Sequence, residues 1–256
     1  MANASFWNKM FNYLVAAIFP RNCVGCGEAL QGAAQVYEWE YLCKECAVNL
    51  RSVGEEACRR CGVPVYGSMS GERLCSVCRE KPPVWNESRS FLRYAGPARG
   101  WVRSYKYRDA RYVEREWRKL FGAASYAHLR DWLAGAVLVP VPLHPFKRLM
   151  RGFNQSENLA RLVLGVLKPA GAQVNACLIR RIKWTRQQAR LGRDKRLKNM
   201  KGAFAVDKKA LAPELLKGRV VLVDDLLTTG ATLSACAAAL KKAGFGQIDV
   251  LTLCRG

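Results

Sequence analysis

Asp224 and Asp225 close an apolar, mostly β-branched run over residues 220 to 223, and Thr228, Thr229, Gly230, Ala231 and Thr232 follow two leucines later. Two adjacent carboxylates can hold neighbouring hydroxyls of a sugar. Hydroxyls and backbone N–H groups at the start of a helix can hold a phosphate, because the positive end of the helix dipole and the unpaired amides converge there. Gly230 permits a close approach to that backbone. The chemistry implied is recognition of a sugar phosphate. An ordinary strand-turn-helix unit whose acids cap the helix is the alternative; the acid pair, the Thr pair, Gly230 and Thr232 coinciding where strand becomes helix favour the ligand site.

Eight of the eleven cysteines form four Cys-x-x-Cys pairs before residue 80. Cys23/Cys26 and Cys58/Cys61 are each followed by glycine, whereas Cys43/Cys46 and Cys75/Cys78 are each preceded by leucine, so the unit is repeated. The gaps between pairs suit zinc ribbons, in which two thiolate pairs meet at one tetrahedral ion. Two structural zinc ions are expected. Sequential pairing follows from the repeat, while the spacing leaves a cross-braced exchange of pairs open. Iron-sulfur ligation and disulfides are the competing uses of such thiols, the latter disfavoured without a secretory signal. A closed all-cysteine site staples a fold and does not activate water, so loss of Cys43 or Cys75 is expected to unfold the N-terminal region and spare the rest. Cys177, Cys236 and Cys254 lie in or beside apolar stretches and read as small core residues.

The elements that must position these groups follow from periodicity. Strands are expected at residues 90 to 94, 136 to 141, 220 to 224 and 248 to 253, and helices at 113 to 134, 154 to 167 and 230 to 243. Strands alternating with helices give an α/β fold with a parallel sheet. At 256 residues, half of them apolar, the chain can bury one substantial core and carry a metal-stapled appendage. The composition divides it into residues 1–84, an N-terminal helix with a double zinc-ribbon domain, and residues 85–256, the α/β domain. The first part holds 9 Lys/Arg against 8 Asp/Glu and the second 33 against 12, so nearly all of the net charge of +22 belongs to the second. Such a field favours nucleic acid or a highly phosphorylated ligand. Phe6, Met10, Tyr13, Leu14 and Ala17 recur at helical spacing in a segment too short to span a bilayer and without a cleavage site, so membrane insertion is not expected and a cytoplasmic, reducing location is.

A second loop shares the expected ligand edge. Pro140, Pro142 and Pro145 end one strand, and Arg148, Arg151, Gly152, Phe153, Asn154 and Gln155 lead into the next helix, a position where open α/β sheets bind ligands. His144 in that loop reads as a satisfied loop histidine ahead of a proton donor. The Asp224-to-Thr232 stretch resembles the phosphoribosyl-pyrophosphate (PRPP) motif of type I phosphoribosyltransferases. With Val139-Pro-Val-Pro-Leu-His-Pro145, Arg151-Gly-Phe-Asn-Gln155 and the N-terminal cysteine pairs, the order of motifs over nearly the whole chain resembles the ComF family of competence proteins. The resemblance implies a type I phosphoribosyltransferase-like fold associated with DNA uptake in natural transformation. It also implies PRPP or a related sugar phosphate bound with Mg²⁺, Asp224 and Asp225 on the ribose, residues 228 to 232 on the 5-phosphate, and Arg148 and Arg151 on the pyrophosphate. In an active phosphoribosyltransferase the two acids also act catalytically on the cationic transition state; no motif names an acceptor. Residues 180 to 201, with ten Lys/Arg and the single acid Asp194, are the expected lid, a solvated charge run being the alternative.

The other function class is nucleic-acid binding. Between Arg93 and Lys119 nine Lys/Arg are interleaved with Tyr94, Trp101, Tyr105, Tyr107, Tyr112 and Trp117. Rings beside cations suit single-stranded DNA, whose bases stack while its phosphates demand charge. Arg103, Tyr105, Lys106 and Tyr107, with Arg186, Arg190 and Arg193 of the basic run, are the candidate contacts. Aromatics spent on the protein's own core are the competing reading. The expected partners are single-stranded DNA, the sugar phosphate, and a protein of the DNA-uptake machinery docking on the zinc ribbons.

Overall fold

The computed structural model describes residue 7 and residues 21 to 30, 39 to 54, 56 to 65, 73 to 107, 112 to 183 and 193 to 256. Apart from Trp7, the helix expected near the N-terminus lies outside these residues, as do Arg186 and Arg190. In chain order the elements are α1 (Lys44–Val48), α2 (Ser76–Glu80), β1 (Ser88–Arg93), α3 (Pro97–Tyr107), α4 (Val113–Gly122), α5 (His128–Trp132), β2 (Val137–Pro140), α6 (Pro145–Arg151), α7 (Gln155–Leu167), β3 (Gln173–Val174), β4 (Ile179–Arg181), α8 (Arg193–Met200), β5 (Phe204–Val206), α9 (Pro213–Lys217), β6 (Arg219–Leu227), α10 (Ala231–Lys242) and β7 (Gln247–Arg255).

Five strands make a wholly parallel sheet in the order β1-β7-β6-β2-β3. β6 and β7 are buried along most of their length, as strands covered on both faces must be, with apolar runs at Val220 to Val223 and Val250 to Leu251. Alternation sorts their side chains. Val220, Leu222, Ile248 and Val250 join Leu233, Cys236, Ala237 and Leu240 of α10 in one core, while Val221, Val223 and Leu251, equally buried, face the other way, and α7 packs on β6 and β2. Pro140 is tolerated in β2 because β3 pairs only as far as Leu138, so no ladder bond is lost on that side. The chain is thus α/β, a parallel sheet flanked by helices, as its alternating elements require.

By contact the chain groups into one unit of Met1–Leu50 with Ala95–Lys119 and another of Arg51–Tyr94 with Leu120–Gly256. This grouping does not follow the 84/85 boundary, because the two cysteine modules have different neighbours. In the first unit Gly100 of α3 lies so close to the Val24 and Gly25 backbone that a Cβ would sit 2.3 Å from a carbonyl oxygen. In the second, the Trp85 indole donates to the Arg60 carbonyl at 2.5 Å, Ser88 N donates to Arg59 O at 2.8 Å, and Arg255 Nε donates to the Cys61 carbonyl.

The helix expected over residues 113 to 134 is three pieces. Ala123 is extended at φ −64°, ψ 142°, and a 3-10 turn over Ala124–Tyr126 follows. Tertiary contacts decide this: the Tyr126 hydroxyl donates to Phe91 O at 2.8 Å and its ring packs against Phe91 with centroids 5.1 Å apart. Burial pushes the Tyr126 phenol up to about 12, so it remains a donor. The feet of the expected lid are also structured, β4 pairing antiparallel with β5 and α8 lying between them in sequence.

Candidate functional site: a strand-end loop and two cysteine centres

β6 runs through both acids and ends at Leu227, so Asp224 and Asp225 lie on the strand itself and alternate across the sheet. Asp225 is buried, at 7% exposure, whereas Asp224 is half-buried. Asp224 Oδ1 accepts from Ser156 Oγ and from Asp225 N, both at 2.9 Å. Ser156 opens α7, whose N-cap Asn154 accepts from Ser156 N and donates through Nδ2 to Val141 O, and Val141 N donates to Val223 O. The 151-to-155 motif and the acid pair are thereby joined at the carboxyl ends of β2 and β6. Ser156 lies outside every motif of the sequence. A hydroxyl in the first turn of a helix that follows a strand end was the available signal.

Thr228 is exposed and Thr229 half-buried; Thr229 Oγ1 accepts from Ala231 N at 3.5 Å, and Ala231 to Leu233 open α10. Thr232 is half-buried in the first turn. Gly230 has φ +74°, and a Cβ there would stand 2.7 Å from Cη2 of Trp85. Packing and backbone conformation therefore require this glycine, whatever approaches from outside. Arg148 and Arg151 sit on α6, directly after β2, with Arg148 exposed and 3.9 Å from Glu157. His144 caps α6, its Nδ1 accepting from Phe146 N at 3.3 Å, a structural post. Arg181, from the basic run, has its guanidinium pKa lowered by burial, opposed by the negative charge of Asp224. Cys236 is wholly buried, and burial followed by the charge of Asp224 pushes its thiol well up; it is a neutral core residue.

The eight cysteines gather as Cys23, Cys26, Cys43, Cys46 and as Cys58, Cys61, Cys75, Cys78, with the four sulfurs of each set within 4.8 Å of one another. Pairing is sequential. Zn–S bonds of about 2.3 Å place tetrahedral sulfurs about 3.8 Å apart, and the structure has 4.0 Å for Cys26–Cys43 and 3.6 Å for Cys61–Cys75. The repeat extends to the backbone. Gly27 and Gly62 adopt φ +88° and +70° and donate to Cys23 O and Cys58 O, and Cys43 and Cys75 cap α1 and α2 with nearly identical dihedrals. Burial raises the Cys23 and Cys58 thiols, but backbone N–H groups outweigh it and hold both at about 7; burial pushes Cys46 and Cys78 up. A bound cation reverses that last effect, since a coordinating thiol is deprotonated outright.

Of the candidate nucleic-acid residues, Tyr105 is a correction. It is 1% exposed, its hydroxyl donates to Glu114, and its ring packs on Trp117 with centroids 4.4 Å apart, so it belongs to the core of its unit with Trp101 and Trp117. Helical spacing on α3 decides this, since Trp101, Val102 and Tyr105 share the buried face. Arg103 and Tyr107 face outward, Tyr107 at 65% exposure, and Lys106 is half-buried. With Ser104 and the Cys23-to-Gly27 turn, Arg103 and Tyr107 line a cavity of about 380 Å³. Arg193 begins α8, its side chain outside the described set.

Residues 14–79 match the double zinc ribbon domain. The chain is 30% identical to the DNA utilization protein YhgH of Salmonella typhi, over 82% of this chain and 89% of that one. The chain belongs to the ComF family of competence proteins. Competence protein F of Haemophilus influenzae is 27% identical over 85% of this chain and 98% of its own length, and competence protein ComFC of Streptococcus pneumoniae 26% identical over 84% and 87%. In this ComF-family chain the two cysteine sets are zinc-binding sites, and no described helix is long and apolar enough to cross a membrane.

Proposed function

We propose that this chain serves DNA uptake in natural transformation from the cytoplasmic side, binding PRPP or a related sugar phosphate at Asp224 to Thr232 and single-stranded DNA through Arg103, Lys106 and Tyr107. The names competence protein and DNA utilization protein borne by its relatives support the cellular role. The observation that carries the ligand reading is the Ser156–Asp224 hydrogen bond, which unites two loops at one sheet edge where helix N–H groups, hydroxyls and a half-buried carboxylate converge. Asp224 receives a ribose hydroxyl, Thr228, Thr229 and Thr232 the 5-phosphate, and Arg148 and Arg151 the pyrophosphate; Asp225, being buried, holds Asp224 in place through its backbone N–H. Mg²⁺ arriving with the ligand would neutralise pyrophosphate charge. The zinc ribbons offer a docking platform to a protein partner.

Calorimetric titration of one preparation with PRPP/Mg²⁺ and with a single-stranded oligonucleotide tests both halves. Asp224→Asn should weaken PRPP binding on the order of tenfold or more, with an unchanged melting curve, because a charge-assisted contact to the ligand is lost. Unchanged affinity would remove this assignment. The alternative is an active phosphoribosyltransferase, favoured by the carboxylate at the position where positive charge develops on the ribose. Release of pyrophosphate from PRPP on addition of an amine or base would establish it.

A further inference from the structure

A second cavity, of about 510 Å³, lies within the Arg51–Tyr94 and Leu120–Gly256 unit. Its lining joins three cationic or protonatable side chains, Arg73, Arg89 and His128, to the hydroxyls of Ser52, Ser88 and Ser125, and no acid lines it among the described residues. Glu87 does not line it: its carboxylate takes Arg59 and the Trp132 indole and reaches only the far end of Arg89, Nη2, at 3.6 Å. Ser88 is 2% exposed and its Oγ has no hydrogen-bond partner; the buried Nε of Arg89 has none either. The Ser88 backbone, by contrast, is satisfied by Arg59 O. A buried hydroxyl left unpaired loses its hydration with no hydrogen bond in return, so two unmet donors at the wall of one cationic cavity call for an acceptor.

We infer that this cavity is a binding site for a phosphoryl group, separate from the Asp224 loop. Arg89 and Ser88 supply the buried donors, Arg73 adds charge and His128 a ring N–H. A tetrahedral group with three terminal oxygens and up to two charges uses this many converging donors, whereas a planar carboxylate uses fewer. The volume falls in the range of sites that enclose a small ligand, so the phosphate comes from a free mononucleotide or from the 5′ end of a strand.

The chain has two histidines, and only His128 lines this cavity, so the ring signals in NMR report on it independently of any phosphate held at Thr228 to Thr232. A His144→Gln variant assigns them. Titrating the zinc-loaded protein with inorganic phosphate at constant ionic strength should move the His128 signal saturably. Arg73→Gln and Ser88→Ala should each raise the midpoint on the order of tenfold. Ser88→Ala should not lower the melting temperature, because its hydroxyl makes no hydrogen bond within the chain. Adenosine monophosphate, and one oligonucleotide with and without a 5′-phosphate, separate the sources; movement with the nucleotide or with the phosphorylated strand alone upholds the site. No movement with any of these, or a midpoint unchanged in both variants, overturns it.

Discussion

Single residues carry two roles here that their types alone do not separate. Gly230 stands in a motif where glycine suggests close approach to a phosphate, yet its φ of +74° and the Trp85 ring would exclude a side chain even from an empty loop. Gly230→Ala should therefore destabilise the fold by about 2–4 kcal/mol, combining a left-handed backbone penalty with overpacking. Chemical denaturation without ligand checks this, and an unchanged midpoint would return Gly230 to the ligand alone. Tyr105 and Tyr107 divide in the same way. Tyr107→Ala should weaken single-stranded DNA binding by about 1–3 kcal/mol and leave the melting curve alone, whereas Tyr105→Ala should cost about 3–5 kcal/mol of stability by emptying a core position. Fluorescence anisotropy beside thermal melts separates the two effects.

At the scale of elements, the two zinc modules repeat one design and are anchored differently. The first rests on α3 through the backbone of Gly25, and the second hydrogen-bonds to Trp85, Ser88 and Arg255 of the sheet unit. Elemental analysis should find two zinc ions per chain, one for each set of four cysteines. Cys43→Ser should remove one ion and loosen the unit that contains α3. Cys75→Ser should also lower the melting temperature of the α/β core, because the carbonyls of Arg59, Arg60 and Cys61 that sheet residues use would lose their fixed positions. A core that melts unchanged in Cys75→Ser would restore the view that both ribbons are independent of it.

For the whole molecule, a net charge of +22 concentrated in residues 85–256 governs association with polyanions. Affinity for single-stranded DNA should fall steeply with salt, with a double-logarithmic slope of about 0.7 per phosphate contacted and little sequence preference. Arg103→Glu should reduce that slope, while Tyr107→Ala should lower affinity equally at every salt concentration. A flat salt response would sink the DNA half of the proposal and leave the sugar-phosphate half standing, because the latter rests on Asp224 and Ser156.

The sequence by itself determined the elements whose cause is local or periodic. Apolar runs specified β6 and β7, turn residues and caps specified α7 and α10 within one or two residues, and the cysteine repeat specified two four-sulfur centres. Tertiary structure decided whatever depends on which surfaces meet. Sequential cysteine pairing, the division of ribbons between units, the break of the 113-to-134 helix at the Phe91–Tyr126 contact and the burial of Tyr105 all turn on packing between segments far apart in the chain. The same holds for Ser156 on Asp224 and for the Ser88–Arg89 cavity. A hydroxyl or guanidinium is an unremarkable surface residue in a sequence, and only folding makes it a buried donor whose partner must be found.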